Sequence, residues 1–317
     1  MLSVRFWGVR GSIPAPGSST VIFGGNTSCL EIRADERLVI VDLGTGVRLL
    51  GNYLMANDFK KGPIDADIFV THTHWDHLIG FPLFSPLFIS STMLRIWGPI
   101  STTGETLESI LKMQLDHNFW PIRLSELSAQ IKYEQMQETT LDLGDGLFVK
   151  TKYLNHSTLC LGYRFEYKGK SIVTVYDHEP FMNLFPTDVN ASDYDEVTAE
   201  EGERVAKEEN EKIAAFFKNV DVLIHDCQYT EAEYHNGRHG WGHSFYERVI
   251  PSVRDASVKK LVIFHHDPDR SDEDLIRLEK EWQVKDDCPS TGGLLSKLNR
   301  LNRTAVIIAK EGMTITA

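Results

Sequence analysis

"FVTHTHWDHLIGFP", residues Phe69–Pro82, places His72, His74, Asp76 and His77 in one short run directly behind an apolar strand-like segment. An extended strand end sends alternate side chains to the same side, so His72 and His74 share a face. Once the chain turns, Asp76 and His77 can face a second point a short distance away. Neutral imidazole and carboxylate are good ligands for divalent metals, which need three or four of them converging. A lone histidine beside a strand is ordinarily a hydrogen-bonded structural residue. Four such groups at one junction would each need a separate explanation, and ligation of two metal ions explains them together.

Composition sets the limits around this junction. The chain has 317 residues, 42% of them apolar and 25% charged, enough for a sizeable core in a soluble domain. A formal net charge of −12 argues against a broad nucleic-acid or membrane footprint. It leaves an anionic substrate open, because bound cations reverse the local field. Cys29, Cys160, Cys227 and Cys288 lie far apart with no CxxC spacing, and read as reduced, packed thiols. The N-terminus "MLSVRFWGVRGSIPAPG" lacks an apolar leader, and no apolar run reaches membrane-spanning length, so a cytoplasmic location is expected.

Along the chain, strands are expected at Leu2–Trp7, Ser28–Arg33, Leu38–Asp42 and Asp67–Val70, with helices at Val47–Asn57 and Thr103–Leu115. Further strands follow at Leu147–Tyr153, Leu159–Tyr167 and Ser171–Tyr176, the last two joined by a "YKGK" hairpin turn. An irregular acidic stretch at Phe181–Val197 leads into a helix, giving an acidic insertion over about 181–219. Short buried strands are expected at Val220–His225 and Lys260–Phe264, and Ser271 with Asp274 reads as a capping box opening a helix. Gly292–Leu301 reads as helical, and strands at Ala305–Ala309 and Met313–Thr316 end the chain. Two strand clusters, each followed by helices, predict two sheets packed face to face with helices outside. The polar motifs run from Asp42 to His266, which favours one domain over residues 1–317.

The His-x-His-x-Asp-His motif behind an apolar strand resembles the metallo-β-lactamase-fold metallohydrolases, and the resemblance covers nearly the whole chain. It implies an α+β, four-layer αββα sandwich with a dimetal site at one edge of the sheets. "VIVDLGTG" matches the family's early Asp-x-Gly segment and makes Asp42 a residue that supports the ligands. "YLNHST" supplies His156, and "VTVYDHEP" supplies Asp177, matching the bridging carboxylate, with His178 behind it. "LVIFHHDP" supplies the last ligand, His265 by strand alignment with His266 as the alternative. The resemblance thus assigns His72, His74 and His156 to one metal and Asp76, His77 and His265 to the other, with Asp177 between them. Two divalent ions are implied, zinc first, manganese or iron as alternatives.

Within that family, "HSTLCLGYRFE", "DHEP" and "HDCQYT…GWGHS" resemble the phosphodiesterase branch that includes ribonuclease Z. The branch pairs a carboxylate after a buried strand with a histidine in a Gly-His-Ser segment, which carries over to Asp226 and His243. A histidine oriented in this way can protonate a departing oxygen. The catalytic group implied is therefore Asp76, Asp226 and His243.

The expected activity is cleavage of a small cyclic or linear nucleotide-type phosphodiester by a water ionised between the metals. Hydrolysis of a lactone, thioester or β-lactam is the alternative. RNA processing ranks lower, because the Gly- and Pro-rich arm of long ribonuclease Z proteins is missing and extended nucleic acid calls for a basic surface. In "DHNFWPI", Phe119 and Trp120 are candidates for stacking on a base, with ordinary core packing the competing role. Arg164 and Arg10 are candidate phosphate contacts, although surface or hairpin roles are the commoner use of such residues. His117, His235 and His239 are rim candidates. A homodimer is compatible with the sequence, and a membrane partner is not expected.

Overall fold

The computed structural model describes residues 1–287 and 304–317. The helix expected at Gly292–Leu301 lies outside the described residues. The first half supplies β1 (Leu2–Gly8), β2 (Cys29–Ala34), β3 (Arg37–Val41), α1 (Val47–Asn57), β4 (Asp65–Phe69), α2 (Trp75–Leu78), β5 (Met93–Pro99), α3 (Leu107–Gln114) and β6 (Gln130–Met136). The second half supplies β7 (Thr140–Asp142), β8 (Leu147–Leu154), β9 (Cys160–Tyr167), β10 (Lys170–Val175), α4 (Glu196–Phe216) and β11 (Val222–Asp226). Then come α5 (Glu231–His235), α6 (Tyr246–Asp255), β12 (Lys260–Phe264), α7 (Asp272–Asp287), β13 (Ala305–Ile308) and β14 (Thr314–Thr316).

The strands form two seven-stranded sheets, ordered β14-β1-β2-β3-β4-β5-β6 and β13-β12-β11-β10-β9-β8-β7. Alternation along each strand separates three apolar layers. Val39 and Val41 of β3, with Val222, Ile224, Val262 and Phe264 of β11 and β12, fill the space between the sheets. Their neighbours Leu38 and Ile40 turn outward onto α1 and α3 residues such as Leu50, Leu54 and Leu107. Leu223, Leu261 and Ile263 turn outward onto α4, α6 and α7. Helix, sheet, sheet and helix are thus four stacked layers, the αββα sandwich.

Several details differ from the sequence expectation. β5, β6 and β7 were not anticipated. β6 has four charged or amide side chains in "QIKYEQM" and lies mostly exposed at a sheet edge, so its apolar alternation is weak. α6 carries Pro251 inside it, a residue that reads as a helix breaker although Tyr246, Val249, Ile250 and Val253 are buried at helical spacing. α3 begins four residues later than expected, where the Thr106 side chain accepts from the Ser109 amide as an N-cap. The β9–β10 hairpin forms as expected, with Lys168 and Gly169 at φ 49° and 73° supplying the positive angles of a tight turn. The Ser271–Asp274 box opens α7, with Ser271 Oγ accepting from the Asp274 amide at 3.1 Å.

The topology gathers chemistry at one edge. β3 and β4 are parallel, as are β10, β11 and β12, and β8 runs alongside β10 in the same sense through antiparallel β9. Asp42, His72, His156, Asp177, Asp226 and His265 therefore all sit at or just beyond C-terminal strand ends. The continuation of β1 ties the sheets together there: the His266 amide donates to Val9 and the Gly11 amide donates to His266.

Candidate metal centre

Two groups of side chains converge at this edge. His72, His74, His156 and Asp177 form one, and Asp76, His77, Asp177 and His265 the other, with ligand atoms in each within 4.8 Å of one another. Asp177 belongs to both. Its Oδ2 lies 3.6 Å from His72 Nε2, 3.5 Å from His77 Nε2 and 3.7 Å from His156 Nε2. Its Oδ1 lies 3.1 Å from His265 Nε2. Asp76 Oδ2 stands 3.2 Å from His77 Nε2 and 3.1 Å from His265 Nε2.

His77 Nε2 and His265 Nε2 face each other at 3.2 Å, and His156 Nε2 faces His74 Nδ1 at the same distance. Lone pairs aimed at one another need a proton or a cation between them. His72 Nε2 and Asp177 Oδ1 are buried with no hydrogen-bond partner among the described residues. Orphaned buried polar atoms are costly, and divalent cations would relieve both. The donor set of imidazole and carboxylate suits zinc, manganese or iron.

Three of the histidines, His77, His156 and His265, are oriented from behind. His77 Nδ1 donates to Asp42 Oδ2 at 2.7 Å, which leaves its Nε2 lone pair for the cluster. Asp42 in turn accepts from the Thr71 amide at 2.8 Å and from the hydroxyls of Thr71 and Ser28. His156 Nδ1 donates to the Gly242 carbonyl at 3.0 Å. Gln228 Nε2 lies 3.0 Å from His265 Nδ1; a half-turn of that amide would bring its oxygen there to accept the ring proton and free Nε2 of His265 for a metal. Asp42 and His265 hold φ of 62° and 59°, left-handed angles that non-glycine residues adopt at a cost of roughly 1–3 kcal/mol, as is common at functional sites. A side chain at Gly11 would meet His265 Nδ1 at 2.4 Å, so this position requires glycine.

The electrostatics follow from burial and crowding. Burial and then neighbouring His77 push His72 well below the ordinary imidazole range. Burial works against charge on His77, but Asp76, Asp177 and Asp42 outweigh it and raise its pKa well above normal. Burial also opposes ionisation of Asp177, yet His265, His77 and His243 hold it well below the usual carboxylate range.

Asp226 and His243 adjoin the cluster. His243 Nδ1 lies 3.2 Å from Asp226 Oδ2 and 3.9 Å from Asp177 Oδ2. Burial disfavours the His243 cation, but Asp177 and the Asp226 hydrogen bond raise its pKa on balance. Asp226 is fully buried; desolvation opposes its charge, while His225 and His243 bring its pKa down to about 2.

The remaining candidates fall elsewhere. His266 donates from Nε2 to the Ala309 carbonyl, so His265 and not His266 joins the cluster. His178 is buried behind Asp177 and accepts the Asn155 amide at Nδ1. Arg10 is not at the surface: it is fully buried and binds the carbonyls of Gly24, Asp267 and Arg270. Arg164 sits four residues along β9 with its guanidinium on Glu166 and the Phe216 carbonyl. Trp120 packs on the apolar layer under α1 and α3, while Phe119 projects into solvent. His117 lies near Glu126, and His235 and His239 pack around Tyr234.

Residues not singled out from sequence also border the site. The Ser12 amide donates to Asp76 Oδ2 at 2.7 Å. The Arg238 guanidinium lies 4.3 Å from the Trp241 ring centre and 5.7 Å from that of Tyr229, whose ring meets His243 edge-on. The position of Arg238 and Trp241 beside "GWGHS" was the available signal, but a surface-loop arginine carries none by itself.

The model of the metallo-β-lactamase superfamily matches residues 22–93, the segment that carries Asp42 and the His72–His77 run. Ribonuclease Z of Staphylococcus haemolyticus is 23% identical over 315 residues, covering 91% of this chain and 96% of that protein. The crystal structure of the short form of human tRNase Z aligns with a TM-score of 0.59 and 18% identity, over 99% of this chain and 98% of that one. A diphosphatase from the PhnP family aligns with a TM-score of 0.58 and 15% identity, over 100% and 98%.

Proposed function

Because the chain is a metal-dependent hydrolase with the metallo-β-lactamase fold, we propose that it is a phosphodiesterase acting on a small cyclic or linear nucleotide-type substrate. The observation that carries this reading is the Asp226–His243 pair beside both ligand groups. An alkoxide leaving phosphorus needs a proton, and a histidine whose protonated form is favoured by two neighbouring carboxylates can deliver it. Nδ1 is occupied by Asp226, and Nε2 makes no hydrogen bond among the described residues, so Nε2 is the donating atom. Divalent ions bound by the two groups would supply an acidified water and Lewis-acid stabilisation of the phosphoryl oxygens. His72, His74, Asp76, His77, His156, Asp177 and His265 would hold those ions; Asp42, Gln228 and the Gly242 carbonyl keep the ligating nitrogens turned toward them.

Substrate contacts follow from the surface around His243. Arg238 forms no ion pair among the described residues, and Trp241 is 54% exposed. A guanidinium and an indole side by side suit an anionic phosphate carrying a ring. Phe119 is the member of the group Phe119, Trp120 and Arg164 whose side chain is open to a ligand. Residues 181–219 carry ten acidic side chains against four basic ones, which disfavours an extended RNA even though relatives are named ribonuclease Z.

Turnover of bis(p-nitrophenyl) phosphate by zinc- or manganese-loaded protein tests the reading. His243→Ala should retain metal and lose turnover, most of all toward phosphodiesters whose leaving group is an alkoxide. Hydrolysis of lactone or thioester substrates with no phosphodiester turnover would replace this function with carbonyl hydrolysis.

A further inference from the structure

Glu179, two residues beyond Asp177 in "DHEP", is buried and spends its whole carboxylate on one segment. Its Oε1 accepts from the Gly240 amide at 2.8 Å and from the Tyr234 hydroxyl at 2.5 Å, and its Oε2 accepts from the Gly242 amide at 2.8 Å. No cation pairs with it among the described residues; N–H and O–H donors alone hold it. Such a carboxylate is tolerated in the interior only while those donors stay in place.

The clamped segment bears on both halves of the site. The Gly242 carbonyl accepts from His156 Nδ1, and His243 follows directly in the chain. Gly242 has φ 85°, and a Cβ there would lie 2.2 Å from His156 Nδ1, so backbone and imidazole are in direct contact. Asp177 and Glu179 leave the same strand end, one toward the ligand groups and the other toward this loop. Movement of the loop would release His156 and swing His243 from Asp226.

We propose that Glu179 is a positioning residue: by pinning the Gly240 and Gly242 amides it sets the orientation of His156 and His243, and hence metal affinity in the His72–His74–His156–Asp177 group. The catalytic half of this claim rests on the phosphodiesterase reading; the metal-binding half does not.

The test uses full-length Glu179→Gln, whose amide keeps the shape but opposes one loop N–H with its own. Three readouts are taken: amide exchange at Gly240 and Gly242, zinc affinity by chelator competition, and turnover of bis(p-nitrophenyl) phosphate at saturating zinc. Exchange should rise at both glycines, one of two zinc sites should weaken by about 10–100-fold, and kcat should fall with KM within about threefold. Tyr234→Phe keeps both backbone bonds and should hold zinc within about threefold of wild type. A purely structural Glu179 would lower thermal stability while leaving zinc affinity and the two amides as in wild type, and that result overturns the proposal. Should Glu179→Gln not fold, Glu179→Asp retains charge but is too short to reach both amides, and wild-type zinc affinity in it is equally contrary. Absent turnover by wild type would remove the phosphodiesterase reading and leave Glu179 to be judged on zinc and exchange.

Discussion

Asp42→Asn changes one buried carboxylate oxygen to an amide nitrogen and nothing in shape, yet the structure predicts a large effect. Oδ1 accepts from the Thr71 amide at 2.8 Å; Oδ2 accepts from His77 Nδ1 at 2.7 Å. An asparagine must present a donor to one of them. If the NH2 faces His77, Nδ1 becomes the acceptor and the ring proton moves to Nε2, where it blocks the lone pair aimed at Asp76, Asp177 and His265. If it faces Thr71, two buried donors oppose each other, at a cost of about 1–3 kcal/mol. Losing such an orienting partner typically weakens metal binding by about 10–100-fold, which is about 1.4–2.8 kcal/mol. Competition with a chromophoric chelator should show one zinc site weakened by that factor and the other close to wild type. Two zinc ions bound as tightly as in wild type, in a folded variant, would refute the claim that Asp42 sets the His77 tautomer.

Other consequences can be measured in the same protein. His243→Ala should lower kcat by about 10²–10⁴-fold, more for alkoxide than for p-nitrophenolate leaving groups, with metal content unchanged; equal losses for both would argue against proton delivery. Gly11→Ala should weaken metal binding at the His265 group, because its Cβ would lie 2.3 Å from Gln228 Nε2, and titration of zinc into the variant checks this. Asp226, with a folded pKa of about 2 below the ordinary carboxylate value, contributes stability that is present above about pH 4 and lost as pH falls toward 2. Urea denaturation across that window should give a shallower slope of stability against pH in Asp226→Asn; an unchanged slope would contradict the assignment. Removing metal with chelator should lower Tm, since His77 and His265 then face each other at 3.2 Å without a cation, and readdition of zinc should restore it.

Much of this site was legible because ligands sit where strand periodicity breaks. His72 and His74 follow β4 in the loop before α2, and His265 follows β12 directly, so an apolar run followed by polar chemistry marked each position. The four layers were legible for a related reason: β3, β11 and β12 are buried on both faces and read as continuous apolar runs. β6 escaped because its exposed edge needs no apolar face. Glu179 and Arg238 escaped for a different reason. A glutamate between histidine and proline has no pattern of its own, and its meaning lies in amides sixty residues away that only the fold brings to it. Likewise Arg10, two residues beyond the end of β1, became a buried clamp on carbonyls more than 250 positions distant in sequence.

The central claim is that Asp177 lies between two cations held by separate histidine groups. A crystal of the zinc-loaded protein, with anomalous data on both sides of the zinc edge, measures it directly. Two peaks flanking Asp177 are predicted, one among His72, His74 and His156 and one among Asp76, His77 and His265. A fully loaded crystal with a single peak, or with none near Asp177, would contradict it.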